Sequence, residues 1–143
     1  MALNDWCTSV CHSATFLTQC RKFAFDANGE FIPEATTFLM TGENLSYLLC
    51  VLNSPLSEWF FSKVGTTTGV GTVRWKKFTI QELMIPNVDD NGLQKFQYLI
   101  ESYNKYNLSY SYLTAEANRI IYDIVGLTSE EICYVENFYP PIS

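Results

Sequence analysis

A single histidine, His12, serves a chain of 143 residues, and basic side chains are scarce: nine Lys and Arg stand against fifteen Asp and Glu, a net charge of -6. The lone His12 follows Cys11, and sequence neighbours do not face each other across a cleft as a nucleophile and its base must. Long apolar runs are missing as well. The longest, Leu45 to Leu52, is far short of the roughly 20 residues of a membrane span, so no membrane partner is expected. The opening Met-Ala-Leu-Asn-Asp-Trp has neither the basic start nor the apolar segment of a secretory signal, which makes the cytoplasm and reduced thiols the expectation. No internal repeat and no low-complexity tract is visible. Cys7, Cys11, His12 and Cys20 match no closed zinc spacing. Gly71 leads into a strand-like run instead of the Gly-Lys-Ser/Thr helix start of a phosphate loop. Asp89-Asp90 falls in a turn signal and Glu130-Glu131 in a helix's first turn, so both carboxylate pairs have structural explanations. No methyltransferase or nuclease motif and no cofactor loop appears. Neither catalysis nor a cofactor is assigned to these residues.

What is present is core material. Hydrophobic residues make up 48% of the chain, with 10 Phe, 9 Tyr and 3 Trp, which suits one packed domain and argues against disorder. Residues 1–20 are rich in Ser, Thr and Cys and read as an irregular N-terminal segment; 21–143 read as a single domain. Over 21–40, Phe23, Phe25 and Phe31 alternate around Asp26-Ala27-Asn28-Gly29, the signal of a β-hairpin. Pro33 predicts that its second arm starts at an edge or is bent. Over 43–64, Leu45, Leu48, Leu49, Leu52, Leu56, Trp59 and Phe60 form one helical face. Ser54-Pro55 looks like an N-cap with proline at the first helical position, so a kink or two abutting helices are expected. Gly65 to Gly71 is a polar Gly/Thr loop, followed by strand-like Val73 to Phe78 and Leu83-Met84-Ile85, then a turn at Asp89 to Gly92. Leu93, Phe96, Leu99, Ile100 and Tyr103 begin a helical part. A second helix is expected over Ala115 to Val125, stopped by Gly126. A third opens at Thr128, whose spacing to Glu131 is that of a capping box. The expected fold is α+β: a small mixed or antiparallel sheet with a β-hairpin, packed with helices, and a helical C-terminal part.

The charges are unevenly placed. Residues 1–65 hold Arg21, Lys22 and Lys63 against six acids, and 81–143 hold three bases against nine acids. Residues 66–80 hold Arg74, Lys76 and Lys77 and no acid. Bases next to the hydroxyls and amides of a Gly/Thr loop suit phosphate contacts, although on residue types alone a solvated strand face with Trp75 in the core explains the segment as well.

The order of segments goes further than any one motif. Tyr47-Leu48-Leu49-Cys50-Val51-Leu52-Asn53-Ser54 and Trp59-Phe60-Phe61 precede the Gly/Thr loop. Arg74-Trp75-Lys76-Lys77 and Leu83-Met84-Ile85-Pro86 follow it, and Ile121-Tyr122-Asp123-Ile124-Val125-Gly126-Leu127-Thr128-Ser129-Glu130-Glu131-Ile132 closes the pattern. This succession, over about residues 22–138, resembles the TaqI-like C-terminal specificity domain, the target recognition domain of adenine-specific DNA methyltransferases and type II restriction–modification enzymes. It is also similar to the target recognition domains of type I specificity subunits. The resemblance implies sequence-specific recognition of double-stranded DNA by a part of a larger enzyme. Catalysis and S-adenosylmethionine would then belong to a methyltransferase or nuclease domain of the same protein. It places the Gly65–Gly71 loop, with Thr66, Thr67 and Thr68, and Arg74 near DNA, and the Leu45–Phe60 and Leu93–Val125 helices as scaffold; Lys76, Lys77 and Lys63 are the neighbouring bases expected to join them in contacting DNA. The alternative is a docking module of a multisubunit restriction–modification complex that never touches DNA, with the acidic helices and Tyr134 to Tyr139 as its contact.

Overall fold

The computed structural model describes residues 40–64 and 80–138, together with Phe23 and Ile32. The described residues form five α-helices and no strand: α1 (Leu45–Leu52), α2 (Pro55–Val64), α3 (Asp90–Tyr106), α4 (Tyr110–Val125) and α5 (Ser129–Glu136). This overturns the α+β expectation with its small sheet. Apart from Phe23, Ile32 and Met40, the hairpin at 21–40 lies outside the described residues, and so does the strand at 73–78. Leu83-Met84-Ile85, also expected as a strand, is neither helix nor strand and takes part in no ladder. Leu83 is buried and Met84 is 78% exposed, so its alternation reflects one side lying on the core. Such in-and-out placement needs no neighbouring strand, and Pro86 removes a donor that a ladder would use.

α1 is enclosed on two sides. Tyr47, Cys50 and Val51 join Phe96, Leu99 and Ile100 of α3 and Leu113, Ala117 and Ile121 of α4 in one core cluster. Leu48 and Leu52 join Phe61, Ile80, Leu83 and Phe23 in a second. Helices that are apolar all round are those buried all round, and Tyr-Leu-Leu-Cys-Val-Leu supplies that circumference. The Tyr47 hydroxyl, which α1 brings inside, donates to the Pro86 carbonyl at 2.6 Å, which ties the 83–89 segment to the helix. The Tyr47 ring lies 4.9 Å from that of Phe96, which is fully buried.

The expected break at Ser54-Pro55 is present. Ser54 Oγ accepts from Ser57 N at 3.2 Å and donates to the Val51 carbonyl at 2.7 Å. Ser57 Oγ donates to the same carbonyl at 2.6 Å. Two buried hydroxyls thus occupy backbone groups freed where α1 ends and α2 begins. Beside them Asn53 pairs with the backbone of Phe23: Oδ1 accepts from its N–H at 3.1 Å and Nδ2 donates to its carbonyl at 3.0 Å.

The C-terminal helices are delimited by caps. Asp89 accepts from Gly92 N at 2.8 Å, so the expected turn at Asp89 to Gly92 is instead the start of α3. The residues that favour turns are also those that favour N-caps. Ser109 accepts from Tyr112 N at 3.2 Å and begins α4 at Tyr110, five residues ahead of the expected Ala115. Gly126 ends α4 at φ 76°, a conformation that glycine adopts without strain. Thr128 and Glu131 form the expected capping box ahead of α5. The three-residue connection between α3 and α4 makes them an antiparallel hairpin.

Phe96→Ala is expected to destabilise the chain by about 3–5 kcal/mol and Ser109→Ala by about 1 kcal/mol; urea unfolding followed by circular dichroism measures both. Hydrogen bonds from the Thr128 backbone and side chain hold the Glu131 carboxyl below its ordinary 4.5. Its contribution to stability is therefore complete above pH 4.5 and lost as pH falls through the lower folded value. An NMR titration that places its midpoint at or above 4.5 would contradict the capping box.

Candidate functional site

Lys63 is the one expected DNA-facing residue that lies among the described residues. Thr66, Thr67, Thr68, Arg74, Lys76 and Lys77 lie outside them. Lys63 stands exposed in the last turn of α2, where a cation offsets the negative end of the helix dipole. Its ammonium lies 5.9 Å from the centroid of the Trp59 ring, one helical turn back, and 4.9 Å from that of Phe138, which follows α5. Phe138 in turn lies 6.1 Å from Tyr134. α2 and α5 pack together, so the helix leading to residue 65 is braced by the far end of the chain. The two ion pairs among the described residues both belong to Arg119 on α4. Lys63 thus carries a positive charge held by ring faces and matched by no carboxylate of the described residues, an arrangement that leaves it able to meet an anion.

The spacing of Trp59 and Lys63, one turn apart on a helix, was readable from the sequence. The approach of Phe138, 75 positions further on, had no sequence signal. Tyr134, named in the docking alternative, is exposed on α5, whereas Phe138 is half-buried against Lys63.

A concave surface elsewhere on the described residues has no counterpart in the sequence reading. Between α3 and α4 runs an open groove of about 550 Å³. Leu99, Ile120 and Ile124 line it, and so do Tyr98 of α3 and Tyr112 of α4. The apolar stripe of α3 marks its buried face, and Tyr98 lies off that stripe, exposed.

Cys7, Cys11, His12 and Cys20 lie outside the described residues. Among the described residues no group of three or more His, Cys, Asp or Glu could hold a metal ion, and no helix is long and apolar enough to cross a membrane. Cys50 and Cys133 are free thiols, the first buried and the second exposed. Burial pushes the Cys50 thiol up to about 12 and the Tyr47 phenol likewise to about 12. A thiol so held is no nucleophile at neutral pH.

No family model, no curated protein and no solved structure matches the chain.

Alkylation at neutral pH followed by peptide mapping is expected to mark Cys133 and spare Cys50 until the chain unfolds. Cys50 and Tyr47 keep their protons in the folded chain where the unfolded chain loses them, from the ordinary 9.0 and 10.0 upward. Stability due to them is full below pH 9 and falls as pH rises toward 12. Cys50→Ala is expected to flatten the loss of melting temperature between pH 9 and 10; an unaltered slope would count against burial of the thiol.

Proposed function

We propose that the chain is a DNA target recognition module of a restriction–modification enzyme, non-catalytic in itself. The observation that carries the reading is the sequence order around residues 66–80. A run with Arg74, Lys76, Lys77 and no acid leaves a helix that ends on the ring-held Lys63. Phosphate contacts position such a module, and hydroxyls and amides of the kind at Thr66, Thr67 and Thr68 suit either phosphates or base edges. The helices with their caps serve as a rigid scaffold, since a reading loop transmits sequence information only if its two ends are fixed.

Base flipping, methyl transfer and S-adenosylmethionine belong on this reading to a catalytic domain of the same protein. The net charge of -6 sets a limit on what the module does alone. Affinity for a duplex draws mainly on cations that displace counterions, and the acids of residues 81–143 oppose that. Weak binding by the chain alone, with further phosphate contacts from the catalytic domain, follows.

The test is duplex binding at several salt concentrations, with Arg74, Lys76 and Lys77 replaced by Ala. Affinity is expected to fall, and the slope of log K against log salt to flatten by about 0.9 for each phosphate contact removed. Lys63→Ala is expected to reduce the slope by one contact without unfolding the chain. Unchanged affinity and slope in the triple variant would sink the DNA reading.

A further inference from the structure

We infer that Phe138 is a positioning residue for Lys63: its ring holds the ammonium where a phosphate can meet it, so the seating of α5 on α2 governs that contact. The inference rests on the DNA reading above and deepens it by naming what controls one of its bases. A lysine is a compact, hydrated charge on a flexible four-carbon stem. A free stem loses rotamer entropy when an anion fixes its ammonium. A stem already held loses less, and the difference appears as affinity.

Two rings hold the stem of Lys63. Trp59 stands one turn back on α2, its centroid 5.9 Å from the ammonium, and Phe138 comes closer, at 4.9 Å. The face of a ring attracts a cation without cancelling its charge. Arg119 is the opposite case: it lies 3.0 Å from Glu116 and 3.8 Å from Asp123, so its charge is answered along its own helix. No carboxylate of the described residues answers Lys63, which stays exposed. Phe138 owes its place to α5, which packs on α2. Val135 is buried and seats that helix, the Phe138 N–H donates to the Val135 carbonyl at 3.2 Å, and the Tyr134 ring lies 6.1 Å from that of Phe138. The last described helix thereby sets where Lys63 stands, and in the sequence Lys63 precedes the run with Arg74, Lys76 and Lys77.

The test uses the full chain with a DNA duplex at several salt concentrations, and NMR of the Lys63 side chain without DNA. In the parent chain the Lys63 Hε resonances are expected upfield of those of Lys95, shielded by the ring faces. Phe138→Leu keeps an apolar side chain but removes a ring face. It is expected to weaken duplex binding about two- to fivefold, the scale of one exposed cation–π contact, and to shift the Lys63 resonances downfield. Phe138→Tyr restores the ring face and is expected to restore both. In a Lys63→Ala chain, Phe138→Leu is expected to cause no further loss of affinity. Phe138 is half-buried, and circular dichroism confirms that each variant is folded. Three results would each overturn the inference: Lys63 resonances level with those of Lys95 in the parent chain; unchanged affinity in Phe138→Leu; or a loss that persists in the Lys63→Ala chain. If the triple Arg74, Lys76 and Lys77 variant loses affinity while Phe138→Leu does not, this inference alone fails. An unchanged triple variant removes the DNA reading and the inference with it.

Discussion

Everything else in the described fold hangs on the enclosure of α1. Eight residues long, it is too short to persist as an isolated helix in water, and Asn44, at its N-cap position, supplies no side-chain cap. It is held by what surrounds it. One face takes part in the cluster with α3 and α4 and the other in the cluster with α2, Leu83 and Phe23. A helix used on both faces cannot shift toward one core without opening the other. Close-packed interiors transmit such displacements and do not absorb them. The α3–α4 hairpin with its groove and the α2–α5 pair with its ring-held lysine are thereby kept in register through a single element.

The sequence made much of the helical frame legible, and for identifiable reasons. Pro55, Gly126 and the Thr128–Glu131 pair act within one turn of themselves, so their effect follows from local chemistry. The stripe from Leu93 to Tyr103 needs only the helical repeat. The start of α4 was misplaced because Tyr110-Ser111-Tyr112-Leu113-Thr114 reads as aromatic and β-branched, a strand-like composition. Ser109 nevertheless caps it and Leu113 is buried in the main core. Composition was overridden by packing, as it commonly is. The same override explains Leu83 to Ile85, where burial of one side imitates the alternation of a sheet.

The candidate sites were less legible because both are tertiary. Lys63 was marked as a base near a loop, but its ring partners include Phe138, brought to it by α5. The groove comes from the pairing of two helices whose exposed sides carry no periodic signal. Charge was legible as a total and as a distribution along the chain. Only the fold brings Asp89, Glu116 and Asp123 to one concavity with Lys95 and Arg119, while Lys63 is held at the end of a different helix.

The pairing of Asn53 with Phe23 has a consequence for chemical identity at one position. Its amide meets an N–H with its oxygen and a carbonyl with its nitrogen, so it acts toward Phe23 as a strand's peptide group would. An aspartate has nearly the same shape and would pack there equally well. It would set a carboxylate oxygen against a carbonyl oxygen at 3.0 Å, two acceptors with no proton between them. Hydrolysis of this single amide, the ordinary ageing reaction of asparagine, would thus convert a tether into a repulsion without changing a single volume in the core.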